Sequence, residues 1–342
     1  MRAAARTLVA LAGLLGACAH APARRAPEPS ATAEPLAVWL DVDTAAGIPQ
    51  RDIDDAVAMI QAFRSPELAV RGVSVVFGNA PLADALPIAA EVTARFGPPG
   101  LTVAAGAASA DQLGTPTAAT DALAAALTRE PLVILALGPL TNVATLLQTH
   151  PELAPRITEV VAVAGRRPGQ RFTTGTTNAR GHRDFNFEKD PEAFRALLAG
   201  EVPLTLAPWE VSSKVWVTPV VLDGWSAGSP ASRWLADAAP SWLALWEQTF
   251  GVSGFNPFDT LAIATVTRPD LLTCEVLPVD VRVGPDDVTD PAMQGGSDRP
   301  DKPYLVVDPD GPGPRRARYC YDVDASFVDD LTARLTADPV SP

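Results

Sequence analysis

The chain has 342 residues, 40 acidic against 27 basic, and a formal net charge of −13. That length can bury the core of one large α/β domain. The acidic balance argues against a nucleic-acid polymer as partner, because phosphate binding needs a basic face, yet it suits a hard cation and admits a neutral nucleoside or sugar.

The N-terminus reads as a targeting segment, with Arg2 and Arg6 before a short apolar run over 8–15. That run is too short to span a bilayer as a helix. Leu15-Gly16-Ala17-Cys18 is similar to a bacterial lipobox. Residues 1–18 are therefore expected to be a lipoprotein-type signal peptide, with Cys18 the lipidated first residue of the mature chain. The alternative is an ordinary cleaved signal with an incidental cysteine. Residues 19–36 are rich in Pro and Ala, lack apolar periodicity, and read as a tether. The expectation is an exported lipoprotein on the periplasmic or outer-surface side, touching membrane only through its anchor.

From Ala37 onward strands alternate with helices. Apolar, β-branched runs predict strands at 37–40, 69–77, 101–104, 132–137, 158–163 and 202–206, and helical periodicity falls at 54–64, 81–96, 118–129, 141–149 and 190–199. Such alternation predicts an open, mainly parallel, Rossmann-like sheet with helices on both faces. Additional C-terminal pieces follow: helices over 231–250, 259–267 and 326–336, and strands over 275–283, 303–308 and 316–323. Nothing divides 37–337, which reads as a single domain. Cys274 and Cys320 either form a disulfide or are two small buried strand residues. They are no zinc pair, since no Cys-x-x-Cys occurs and His20, His150 and His182 are scattered.

Asp41, Asp43, Asp52, Asp54 and Asp55 crowd the end of the first strand and the start of the first helix. Like charges so close repel unless a cation or polar ligand lies between them, and strand carboxyl ends are where α/β folds bind ligands. Asp54 and Asp55 also suit a helix N-terminus for structural reasons alone. Further polar residues stand where strands or loops meet helices: Asn79, Gly138-Pro139-Leu140-Thr141-Asn142 with Thr141 as an N-cap, Asp184-Phe185-Asn186, and Asn256 to Asp259. Together they place carboxylates and amides on one rim of a sheet.

In this order the motifs resemble those of the inosine/uridine-preferring nucleoside hydrolases, over most of 37–337. The resemblance implies a calcium enzyme that hydrolyses the N-glycosidic bond of ribonucleosides. It implies Asp43, Asp55, Asp259 and the carbonyl of Leu137 as Ca2+ ligands, with Asp43 also the general base. Asp54, Asn79, Asp184 and Asn186 would contact the ribose. Relatives imply a homodimer or homotetramer, with a small-molecule nucleoside as partner. Three positions depart from the usual pattern: ten residues, Thr44 to Ile53, separate the aspartate pairs; Phe258 stands where a His often protonates the base; Asp184 replaces a Glu.

Two other readings compete. Asp41-Val42-Asp43-Thr44 fits the start of haloacid-dehalogenase-type phosphatases, with Asp41 as nucleophile, although a suitably placed lysine is missing. A silent, calcium-dependent nucleoside or sugar binder is the other. His182, alone in its loop, reads as a solvated surface residue. Six of the seven tryptophans fall between Trp209 and Trp246, and Trp242 and Trp246 share a helical face suited to packing.

Overall fold

A computed structural model describes residues 34–175, 180–288, 300–313 and 315–337. The expected signal segment, Cys18 and the tether up to residue 33 lie outside the described residues. Among those described, no helix is long and apolar enough to cross a membrane.

The first half alternates as the periodicity dictates: β1 (Leu36–Val42), α1 (Asp54–Phe63), β2 (Leu68–Val75), α2 (Leu82–Phe96), β3 (Val103–Ala105), α3 (Ala118–Arg129), β4 (Leu132–Ala136), α4 (Thr141–Thr149) and β5 (Ile157–Ala162). A small ribbon, β6 (Thr173–Thr174) with β7 (Arg180–Gly181), precedes α5 (Phe185–Lys189), α6 (Pro191–Ala199) and β8 (Leu204–Leu206). Then come α7 (Trp209–Ser212), α8 (Pro219–Ser226), α9 (Pro230–Ala238), α10 (Pro240–Phe250) and α11 (Thr260–Thr267). The chain closes with β9 (Leu272–Pro285), β10 (Asp301–Val307), β11 (Arg315–Val323) and α12 (Phe327–Thr336).

The main sheet has nine strands in the order β10-β9-β11-β8-β5-β4-β1-β2-β3. All neighbours from β11 to β3 pair in parallel, while β9 runs antiparallel between β10 and β11. The chain moves outward from β1 to β2 and β3, then returns to place β4 on the other side of β1. That reversal opens a crevice at the carboxyl ends of β1 and β4, the position where open α/β sheets bind ligands.

Side chains alternate across the sheet, so its two faces carry separate cores. Val38, Leu40 and Val42 join a layer with α1, α2, α8, α9, α11 and α12. Trp39 joins the opposite layer with α3, α4 and α6. Gly72 on β2 makes room for that indole: a Cβ built there would lie 2.2 Å from the ring. The indole donates to Ser74 Oγ at 2.8 Å, so its polar edge is satisfied inside the core.

Several expectations are corrected. Residues 231–250 are two helices, because Pro240 offers no N–H to continue the first and opens the second. Thr141 is the first helical residue and no N-cap; its hydroxyl donates to Asp190 Oδ2 at 2.6 Å. The short helices α5, α7 and α8 and the β6–β7 ribbon carry too little periodicity to be read from sequence. Cys274 and Cys320 face each other across β9 and β11 and are joined by a disulfide.

Candidate active site

The polypeptide leaves strand geometry after Val42, and the loop to α1 folds its carboxylates back over the strand end. Asp43 and Asp55 are almost wholly buried. The backbone N–H of Asp43 donates to Asp55 Oδ1 at 2.9 Å, fastening the strand end to the helix start. Asn79, just past β2, reaches both: its backbone N–H donates to Asp43 Oδ2 at 2.9 Å, and its Nδ2 donates to Asp43 Oδ1 and Asp55 Oδ2 at 3.2 and 3.3 Å. Asp54 Oδ1 accepts from the N–H of Asp55 at 3.0 Å. Asp259, at the start of α11, completes a cluster in which carboxylate oxygens of Asp54, Asp55 and Asp259 lie within 4.8 Å of one another.

Burial of Asp43, Asp54, Asp55 and Asp259 holds all four carboxyls above their ordinary range. Asp55 further raises Asp43 and Asp259, and Asp259 raises Asp54. The carboxylates act on one another, and Lys189 also senses the charge of Asp43. Such a group is unfavourable as bare anions and suited to a divalent cation with oxygen ligands. The donor set therefore fits a divalent metal ion held by oxygen ligands.

Asp41 points elsewhere. Its Oδ1 accepts from Ser74 Oγ at 2.5 Å and Asn142 Nδ2 at 2.8 Å, and its backbone carbonyl accepts from the N–H of Leu137 at 2.8 Å. Burial raises its pKa to about 7. This residue ties β1 to β2 and to the 137–142 turn, and its hydrogen bonds serve the fold, against its reading as a phosphatase nucleophile. The turn in turn offers the carbonyl of Leu137 at the crevice, where Asn186 Nδ2 donates to it at 2.5 Å.

Above the carboxylates opens a cavity of about 430 Å³. Its floor is polar: Asp54, Asn79, Leu137, Asp184, Asn186 and Asp259. Asp43 and Asp55 are not part of the lining but are hydrogen-bonded to Asn79, which is. Asp184 Oδ2 accepts from the N–H of Gly165 at 2.8 Å, and burial raises its pKa to about 6. Of the residues named from sequence, Asp54, Asn79, Leu137, Asp184, Asn186 and Asp259 line this cavity, whereas Asp43 and Asp55 reach it only through Asn79, and the close carboxylate group contains Asp54 rather than Asp43.

The outer wall is aromatic, formed by Phe172, Trp209, Trp242, Trp246, Phe250 and Phe258. Trp246 belongs to a core cluster with Trp242 packed against it, as their shared helical face suggested, and both rings also line the cavity. Trp246 makes edge contacts with Trp242 and Phe250 at 6.0 and 5.2 Å between ring centres. His182 also lines this wall, against its reading as a solvated surface residue.

Sequence reasoning missed how the Asp184 segment is held. Arg166 is 2 % exposed, lies over the Phe172 ring at 4.1 Å and pairs with Asp287 at 2.7 Å. Lys302 pairs with Glu188 at 2.6 Å and Asp287 at 2.8 Å, while Arg183 bridges Glu188 and Asp286. Arg166 with Asp287, Lys302 with Glu188 and Arg183 with Asp286 are each more than a hundred residues apart, so no local sequence pattern marks them.

Comparison with known proteins agrees with this geometry. A family model described as "Inosine-uridine preferring nucleoside hydrolase" matches residues 38–330. The pyrimidine-specific ribonucleoside hydrolase RihA of Klebsiella pneumoniae (strain 342) is 27% identical over 249 residues, covering 64% of this chain and 78% of the relative. RihB of Escherichia coli O9:H4 (strain HS), also named pyrimidine-specific, is 26% identical over 262 residues, 68% of this chain and 81% of its own. Among solved structures, a plant nucleoside hydrolase, PpNRh1, superposes with a TM-score of 0.70 at 21% identity, covering 89% of this chain and all, 100%, of that one. A purine-preferring ribonucleoside hydrolase from Gardnerella vaginalis gives 0.67 at 22% identity, covering 88% and 98%.

Proposed function

Since the chain belongs to the inosine-uridine preferring nucleoside hydrolase family and is a hydrolase of N-glycosyl bonds, we propose that it cleaves ribonucleosides into ribose and base with Ca2+ as cofactor. The observation that carries the reading is the convergence of Asp54, Asp55 and Asp259 within 4.8 Å, under a cavity floored by amides and carboxylates.

In this proposal Asp43, Asp55, Asp259 and the Leu137 carbonyl hold the ion. When bound, calcium supplies positive charge that orients a vicinal diol and makes a nearby water easier to deprotonate. Asp43 is the general base: it takes a proton from the attacking water, whose oxygen bonds to C1′ as the C1′–N pair leaves with the base. Asn79 fixes the orientation of that carboxylate through two hydrogen bonds, 2.9 and 3.2 Å long. Asp54 holds a ribose hydroxyl. Asn79, Asp184 and Asn186 contact the sugar, and the partly ionised Asp184 favours positive charge growing on the ring.

The aromatic wall supports a flat, apolar leaving group such as a nucleobase, which would lie against ring faces. The test is metal analysis of the purified protein with assay of reducing sugar from a panel of purine and pyrimidine nucleosides. Wild type should release ribose only with calcium present, and Asp43→Ala should release none. Binding of several nucleosides without turnover would replace this reading with that of a binder. Lipidation at Cys18 and export belong to the same proposal; a mature chain lacking a lipid-modified N-terminal Cys18 by mass spectrometry would refute them.

A further inference from the structure

We propose that His182 receives the departing base, donating a hydrogen bond to it as the C1′–N bond breaks; this rests on the N-ribohydrolase reading above. Phe258, directly before Asp259, has no proton to offer, so a donor must come from another part of the cavity. His182 stands in the wall of the same cavity that Asp54, Asp184, Asn186 and Asp259 floor. Only Arg183 separates it from Asp184, so one segment sets its distance from the sugar.

The imidazole is held in place before any ligand arrives. Its backbone N–H donates to the Phe172 carbonyl at 2.7 Å. Its ring lies 4.6 Å from Phe250 and 6.1 Å from Trp246, tilted by about a third of a right angle against both, 30° and 36°. Yet Nε2 is buried with no hydrogen-bond partner among the described residues. A buried ring nitrogen without a partner is unfavourable in a resting protein and points to a ligand that completes it.

Phenylalanine rings cannot donate. The indole N–H groups of Trp209, Trp242 and Trp246 are also buried without partners, but they are less acidic donors than an imidazole. Gln50, Arg51 and Thr249 carry donors on the same cavity, on segments distant in sequence from Asp184. Arg183 is committed through its two terminal nitrogens to Glu188 and Asp286, with Nε buried and unpartnered among the described residues. Burial pushes the His182 pKa down to about 4, so the ring is neutral near neutral pH. A neutral imidazole keeps its proton and stabilises negative charge by hydrogen bonding. The electron pair of the broken bond stays on the base nitrogen, Asp43 holds the proton from the attacking water, and the released base takes its own proton from bulk water.

The experiment compares full-length wild type, His182→Phe and His182→Gln, each with calcium, on uridine, inosine and para-nitrophenyl riboside. The nitrophenolate leaves without help, so it reports whether the floor of the site is intact. His182→Phe should lower kcat/KM on the nucleosides by roughly a hundredfold or more and change the aryl riboside by no more than about threefold. His182→Gln, which retains an N–H donor, should recover part of the nucleoside activity. Equal losses on both substrate types, or none on either, would overturn the proposal. Wild-type cleavage of the aryl riboside alone would also overturn it while leaving the glycosyl hydrolase intact. Failure of wild type on all three would remove the hydrolase reading, and this inference with it.

Discussion

Asn79 grips the carboxylate of Asp43 at both oxygens, the backbone N–H at 2.9 Å and the side-chain amide at 3.2 Å. The same amide also reaches Asp55 at 3.3 Å. One residue at the end of β2 therefore sets the attitude of the proposed base and joins it to the proposed metal cluster. Asn79→Ala leaves the backbone donor and removes the amide. A hydrogen bond to a charged group contributes about 1.5–3 kcal/mol, so kcat should fall by roughly ten- to a hundredfold. Thermal unfolding should barely move, because Asn79 is only partly buried. An unchanged kcat at saturating calcium would sink the assignment.

Asp259→Asn separates electrostatics from folding. Repulsion between Asp55 and Asp259 adds to the burial that raises the Asp259 carboxyl. Without metal the variant should be more stable than wild type, since one buried like-charge contact is gone. With calcium the order should reverse. A ligand at a hundred times its Kd stabilises the folded state by about 2.7 kcal/mol, and the variant should forfeit most of that gain. Calorimetry in chelator and in excess calcium gives both numbers. Equal calcium-induced shifts in Tm for the two proteins would show that Asp259 holds no metal.

The pH dependence of the metal-free protein has a defined sign. Asp184 moves from an ordinary 3.8 to about 6 and Asp41 to about 7, while Asp43, Asp54 and Asp259 are raised well above 3.8. A carboxyl whose folded pKa is raised binds its proton more tightly when folded. Its contribution is full below the unfolded value and is lost as pH rises through the folded one. In chelator, Tm should therefore fall between roughly pH 4 and pH 7, the five raised carboxyls outweighing His182, whose pKa lowered to about 4 acts in the opposite sense, and calcium should flatten that slope. A metal-free Tm that holds steady or climbs across this interval would contradict the burial of these groups.

The sheet was legible because burial on both faces leaves near-continuous apolar runs such as 132–137, and strand ends carry the punctuation that locates the crevice. The floor was legible for a related reason: carboxylates and amides at strand ends are costly unless used, so they stand out. The aromatic wall was not. Trp246 and Phe250 repeat at helical spacing and do pack in a core, and that spacing carries no sign that the same rings also line a cavity. His182 was misread because its surroundings, Phe172, Trp246 and Phe250, come from sequence-distant segments. The ion-pair network of Arg166, Arg183 and Lys302 escaped for the same reason, since pairing across such separations leaves no local pattern.

Gly78 offers a test of how tightly the base is confined. A Cβ built on this residue would lie 1.6 Å from Asp43 Oδ2 and 2.6 Å from its Cγ. An exposed carboxylate could swing aside, but this one is pinned by Asn79 and has Gly138 on another side, where a built Cβ would lie 3.0 Å from Asp43 Cβ. Gly78→Ala must therefore displace either the Asp43 carboxylate or the turn that carries Asn79. Misplacement of a reacting group by about 1 Å costs on the order of a hundredfold in rate, so kcat should fall by at least that much. Gly78 lies in the turn after β2 rather than within the core layers. The forced overpacking should lower stability in calcium by about 1–3 kcal/mol. Loss of activity with stability lowered no further than that would place the damage at Asp43; retained activity would mean that the carboxylate has room to move and that its orientation does not control turnover.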